Sequence, residues 1–301
     1  MKKNKLLIVL PFLLLFVLTS CASTKSAVIT KCPERFFWKI EGRDTSGKKS
    51  AVYIQGTIHV GDERILPLPE AVENAFDTAD RYVAELSSSD IAEAPSKTME
   101  RMVASYNEDY DIRKKLSISN LDIMYKLMPE EQVAEVSKFE PWVLNSMISS
   151  VWTNESKLST DYGLDMYFYK KVEEKGKKVE GLDSLKTQME LLDYGDYDTQ
   201  LAALETQLSD YPFEKSIKNL QDMYAAYLDG DTESLYAVMF EEKSAENSDA
   251  DFNQKLFDER NERWAKKINE YLKRGGTTFL FAGAGHFVGL NSVFEYLRQN
   301  Q

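Results

Sequence analysis

Strand-forming segments sit near the two ends of this chain, with a long helical stretch between them. Near the start, Phe36-Phe37-Trp38-Lys39-Ile40 and Ala51-Val52-Tyr53-Ile54-Gln55 read as strands joined by a Gly-, Asp- and Ser-containing turn. Pro67-Leu68-Pro69 opens a helix running to about Ala79, and residues 81–86 read as a third strand ending at a Ser-rich loop. Near the end, residues 277–282 form an apolar strand, followed by a helix to Arg298. From about residue 95 to 275 the pattern is helical, broken by one short strand at residues 178–182 behind Gly176. This arrangement predicts an α/β fold, helix-rich overall, in which one core sheet carries a large helical insertion at about 95–275.

The first 21 residues read as a targeting segment. Lys2, Lys3 and Lys5 precede an apolar run from Leu6 to Leu18, too short for a comfortable membrane span. The run ends in Leu18-Thr19-Ser20-Cys21, which is similar to the bacterial lipobox, where the cysteine is acylated and becomes the mature N-terminus. Residues 22–33 then read as a tether, and residues 34–301 as the folded domain. The expectation is a domain outside the cytoplasm, held to a bacterial membrane of the cell envelope by palmitate-type acyl chains on Cys21.

Charge and cysteine content remove several function classes. Lys plus Arg number 37 against 49 Asp plus Glu, a net charge of −12, and no Lys/Arg cluster suits a nucleic-acid interface. With only two cysteines and two histidines, zinc fingers and disulfide frameworks are excluded. Cys32 reads as structural or incidental. No His-Glu-x-x-His, Gly-x-Ser-x-Gly or Walker motif is present.

Both histidines occur in one context. His59 ends Gly56-Thr57-Ile58-His59, and His286 ends Gly283-Ala284-Gly285-His286. Glycine fills 14 of 301 positions, so a Gly three residues before a given His has about a 5% chance, and both together about 0.2%. A strand ending in Gly lets the backbone turn sharply and approach a ligand, presenting the His at the carboxyl edge of a sheet. Two imidazoles converging there suit either metal ligation or an acid/base pair. Glu85 lies near the end of an apolar strand, where an unpaired carboxylate is unfavourable. Asp62, Glu63, Asp165, Gln188 and the Arg260-Asn261-x-x-Trp264 helix carry weaker local signals.

These segments, with Phe37-Trp38-Lys39-Ile40 and the run from Ala79 to Leu86, resemble the TraB/GumN family, which includes bacterial pheromone-shutdown proteins and is related to the animal Tiki metalloproteases. The resemblance spans about residues 34–300, with Pro141-Trp142, Gly163-Leu164-Asp165, Lys178-Val179-Glu180-Gly181-Leu182 and Arg260-Asn261 in the family's order. One position departs: Asp183 stands where members often carry Glu. The resemblance implies an erythromycin-esterase-like or Tiki-like core and a site of His59, Glu85 and His286, with Arg260 and Asn261 close by.

The leading expectation is a metal-dependent hydrolase acting on a peptide or protein substrate. His59, His286 and Glu85 would hold Mn²⁺, Co²⁺ or Zn²⁺, Glu85 serving as ligand or as base toward the bound water, and Arg260 would stabilise an oxyanion. Two alternatives stand beside it: a non-catalytic peptide- or haem-binding lipoprotein, and a metal-free, esterase-like His/Glu hydrolase.

Overall fold

The computed structural model describes residues 27–241 and 250–299. Six strands form one mixed sheet: β1 (Val28–Lys31), β2 (Phe37–Arg43), β3 (Lys49–Thr57), β4 (Arg81–Ala84), β5 (Val179–Gly181) and β6 (Gly276–Gly283). Their spatial order is β1-β2-β3-β6-β4-β5. The first three strands are antiparallel, whereas β3, β6, β4 and β5 run parallel. The α/β, helix-rich expectation therefore holds, and the strand last in sequence sits inside the sheet. Thr278 through Ala282 of β6 are buried, as expected for a parallel strand covered on both faces.

One expectation needs correction. The second half of the segment read as a tether, residues 22–33, contains β1, whose Val28-Ile29-Thr30-Lys31 pairs along β2 from Val28↔Glu41 to Lys31↔Trp38. Four residues on a sheet edge, mostly exposed, leave almost no alternation to read. The targeting segment and Cys21 lie outside the described residues. Among the described residues no helix is long and apolar enough to cross a membrane.

The helical stretch divides between two cores. Phe168, on the helix Leu164–Glu174, packs against Phe76, Phe279 and Phe281 with ring centroids 5.1–5.5 Å apart, so this helix belongs to the sheet. The helix Glu259–Arg274 likewise buries Trp264, Ile268 and Leu272 in the sheet core. A second cluster, including Ile112, Met124, Leu144, Ile148, Leu204 and Phe213, is filled by helices between them. Helical periodicity marks a buried face but not which core that face enters.

Candidate active site at the carboxyl edge of the parallel strands

The parallel strands all end at one edge, and each delivers one polar side chain just past its last residue. β3 is followed by His59, β6 by His286, β4 by Glu85 and β5 by Asp183. The register sets Thr57 opposite Gly283, so the two Gly-x-x-His turns leave adjacent strands at one level. Open α/β sheets place their ligand sites at such an edge.

Close packing explains the glycines. A Cβ on Gly56 would lie 3.0 Å from the Phe36 Cβ and 3.1 Å from the Ala284 backbone, so the first motif touches the second. A Cβ on Gly163 would lie 2.6 Å from the His59 carbonyl oxygen. The bare Gly163 lets the start of the helix Leu164–Glu174 dock there, with Leu164 N–H donating to the Ile58 carbonyl at 3.0 Å. Asp165 follows. Its Oδ2 accepts from His59 Nδ1 at 2.8 Å, and its Oδ1 accepts from the Thr57 hydroxyl. The Asp165 charge raises the His59 pKa from its ordinary value to about 9. The His59 side chain is 74% exposed, so its ring is open to an incoming molecule while its Nδ1 is held.

His286 has the opposite surroundings. It is buried in the turn Ala284–Phe287, 4.1 Å from the Trp264 ring and 5.1 Å from Phe257 between centroids. Its Nδ1 donates to Asn261 Oδ1 at 2.6 Å, and Asn261 Nδ2 donates to the Asn291 carbonyl at 2.7 Å. The second bond fixes which way the amide faces, so Nδ1 carries the ring proton and Nε2 the lone pair. Burial, then the nearby Arg260 charge, depress the His286 pKa to about 3, and the ring is neutral at physiological pH.

Glu85 connects the two halves. It lies one residue past β4, not within a strand ending at residue 86. Its Oε1 accepts from the Gly283 N–H at 2.9 Å, and its Oε2 accepts from Arg260 Nη2 at 2.6 Å and Gln188 Nε2 at 3.1 Å. Burial opposes its charge, but the Arg260 guanidinium and the Gly283 N–H are among the groups that outweigh burial and hold the carboxyl down at about 2. Arg260 is 3% exposed, and each guanidinium nitrogen is engaged: Nε with Asp183 at 2.7 Å, Nη1 with the Leu256 carbonyl at 3.0 Å, Nη2 with Glu85. Arg260 is therefore the buried counter-ion of Glu85 and Asp183, with three of its five N–H donors committed.

The structure thus brings His59, Glu85, His286, Arg260 and Asn261 to one edge, with Asn261 acting on His286 rather than facing outward. Asp165, Asp183 and Gln188 complete the polar network, and sequence reading gave them little weight. A signal was available. Gly-Leu-Asp occurs twice, at 163–165 and 181–183. In both copies the Gly admits a neighbouring backbone, the Leu enters the core and the Asp grips a site residue.

Fitness for a metal follows from the donors. Both imidazoles have Nδ1 fixed by an acceptor and, among the described residues, no partner on Nε2, which is how protein-bound metals are usually ligated. Glu85 Oε1 and His286 Cδ2 lie 3.2 and 3.7 Å from the same point, where a Cβ on Gly283 would stand. Among the described residues no three His, Cys, Asp or Glu side chains are gathered closely enough to hold an ion. The neutral His286 offers its Nε2 lone pair to a divalent cation, whereas His59, held cationic by Asp165, would give up its Nε2 proton to bind one, and Glu85 beside them is already engaged by Arg260.

Comparison with known proteins assigns the chain to a family. A profile of the TraB/PrgY/gumN family matches residues 36–301. An uncharacterized protein of Treponema pallidum (strain Nichols) is 28% identical over 98% of this chain and 89% of its own length. Metalloprotease TIKI2 of Danio rerio is 25% identical over 82% of this chain, and that of Xenopus tropicalis 30% over 46%. The matched regions are 56% and 30% of those two proteins. No solved structure matches.

Proposed function

We propose, from the premise that this chain belongs to the TraB/PrgY/gumN family, that it is a metal-dependent hydrolase of peptides or proteins, anchored to a bacterial membrane with its domain outside the cytoplasm. The observation that carries this reading is the delivery of His59, His286 and Glu85 to one sheet edge, each imidazole oriented through Nδ1 and open at Nε2. Similarity to the TIKI2 metalloproteases supports peptide hydrolysis. The Leu18-Thr19-Ser20-Cys21 site supports the anchor.

A divalent ion such as Mn²⁺, Co²⁺ or Zn²⁺, held by His59 and His286 with Glu85 beside them, would supply a nucleophilic water near neutral pH. The protein's own contributions are positional. Asp165 keeps the His59 ring in one orientation, and Asn261 does so for His286. Arg260, Gln188 and the Gly283 N–H keep Glu85 ionised, as a ligand or proton acceptor must be. Metal-free acid/base hydrolysis is the second reading, favoured by a neutral His286 beside an ionised Glu85 that already has a cation.

Metal analysis of the purified chain, followed by a peptide-library screen, separates the two. Stoichiometric Mn, Co or Zn, lost in His59→Ala and His286→Ala, is expected. Glu85→Gln should lower turnover by about 10²–10⁴ while leaving the fold intact. Turnover without bound metal supports the second reading, and no turnover under any metal defeats both.

A further inference from the structure

We propose that the amino edge of the sheet, opposite the candidate site, is a membrane-facing surface that docks on anionic lipid headgroups and turns the site away from the bilayer. This rests on the anchored reading of Cys21 and goes beyond it, because an anchor alone does not choose an orientation.

The register fixes the geometry. Val28 pairs with Glu41, Glu41 with Ala51 and Ala51 with Thr277, so β1 begins level with the starts of β3 and β6. Cys21 precedes Val28 by seven residues, a reach of at most about 25 Å. The amino edge is therefore the part of the described domain that the anchor holds nearest the bilayer. The site lies past Thr57, six residues further along β3, or about 20 Å away.

Charge is distributed to match. The connections at the amino edge carry Arg43, Lys48, Lys49, Lys177, Lys178 and Lys273, all exposed. None of the six makes an ion pair within 4 Å among the described residues; the ion pairs of this edge are made by Lys175 and Arg274. The carboxylates of that edge are mostly engaged: Asp77 with Lys175 at 2.9 Å, Glu180 with Arg274 at 2.7 Å, Asp80 with the Thr277 N–H at 2.7 Å, and Asp44 with the N–H groups of Ser46 and Lys48. Glu173 and Glu174, at the end of a neighbouring helix, have no ion pair among the described residues. The opposite edge carries Asp62, Glu63, Glu85, Asp161, Asp165 and Asp183; Asp62 pairs with Arg64, Asp165 with His59, and Glu85 and Asp183 share Arg260, which leaves carboxylates in excess there. In a chain of net charge −12, this asymmetry orients the domain against a negative surface. Bonds within or at the bilayer are then out of reach, and the substrates are polypeptides that are soluble or stand clear of the surface by about 20 Å or more, the edge-to-edge rise of the sheet.

The test uses the full acylated chain in vesicles, with Cys32→Ser removing the second thiol. A fluorophore is placed at Ser46→Cys on the amino edge or at Thr160→Cys beside the site, and the lipids carry headgroup quenchers. With phosphatidylglycerol present, quenching at 46 should exceed that at 160 several-fold. It should fall in pure phosphatidylcholine, and at 1 M salt, where the Debye length shrinks to about 3 Å. Lys48→Glu with Lys49→Glu, Lys178→Glu and Lys273→Glu should abolish it while the chain stays vesicle-bound. The milder Lys48→Gln with Lys178→Gln, checked by circular dichroism, should give a partial loss. Equal quenching at both positions, stronger quenching at 160, or indifference to phosphatidylglycerol and to charge reversal overturns the proposal. Failure of the anchor reads out separately: a wild-type chain that takes up no acyl label and leaves phosphatidylcholine vesicles removes the premise. Loss of the hydrolase reading moves neither readout.

Discussion

Replacing Asp183 with Asn removes one charge from a buried triad while keeping its shape. The Asp183 side chain is 1% exposed and faces Arg260 Nε at 2.7 Å, with Arg263 at 3.5 Å. Arg260, 3% exposed, also pairs with Glu85 at 2.6 Å. Breaking a buried pair by deleting one partner costs about 3–5 kcal/mol. Asn retains an acceptor for the guanidinium, so about 3 kcal/mol is expected, the low end of that range. With a urea m-value of about 3 kcal/mol/M, the midpoint should fall by about 1 M. Context supplies the decisive contrast. In an Arg260→Met background, Asp183 and Glu85 face one another without their shared cation, and Asp183→Asn then relieves repulsion. There the same change should be neutral or stabilising, a coupling of about 3 kcal/mol. Equilibrium urea unfolding of the four proteins at pH 7, followed by far-ultraviolet circular dichroism, measures the cycle. Equal losses from Asp183→Asn in both backgrounds, within about 0.5 kcal/mol, would refute a charge-coupled triad.

Gly163→Ala should cost about 1–3 kcal/mol through overpacking, because its φ of −60° suits alanine but its Cβ would stand 2.6 Å from the His59 carbonyl; an unchanged thermal midpoint counts against this close approach. Asn261→Ala should weaken Mn²⁺ or Zn²⁺ binding by about 10–100-fold in titration calorimetry, since it frees the His286 ring, and wild-type affinity in the variant would remove Asn261 from the site. The Arg64 hydrogen bond, with a bond from the Tyr224 hydroxyl, lowers the Asp62 pKa to about 2. Its folded pKa lies below its unfolded value of about 4, so its stabilisation is present above pH 4 and lost as pH falls through 2. Asp62→Asn should flatten the urea midpoint between pH 4 and 2 relative to wild type; an identical acid profile sinks the assignment.

The parallel strands and their His59, Glu85 and His286 were legible in the sequence because burial on both faces writes an apolar run, and a sharp exit from a sheet needs glycine. β1 was not, since an exposed edge strand of four residues has no alternation to show. The split of the helices between two cores was hidden for a related reason, as Phe168 and Ile148 both satisfy helical periodicity while entering different cores. Asp165 and Asp183 escaped because a carboxylate beside a helix start looks the same in sequence whether it meets solvent or an imidazole. Arg260 was expected near the site, but its engagement on every nitrogen depends on Asp183, which lies 77 residues away.

The placement of β6 governs the order in which this protein can assemble. Gly276–Gly283 pairs with β3 on one side and β4 on the other, yet it is the last strand made. Until it emerges, β3 and β4 have no common neighbour, Glu85 lacks the Gly283 N–H, and the two histidines share no edge. The helices around Ile112, Leu144, Leu204 and Phe213 draw their core from residues 112–217 and can consolidate while the sheet waits. Ser50 and Gly276 pair across 226 positions, a contact of the kind that slows folding. A chain ending at Arg274 should therefore keep helical circular dichroism while failing to join β3 to β4 or to bring the two Gly-x-x-His turns to one edge.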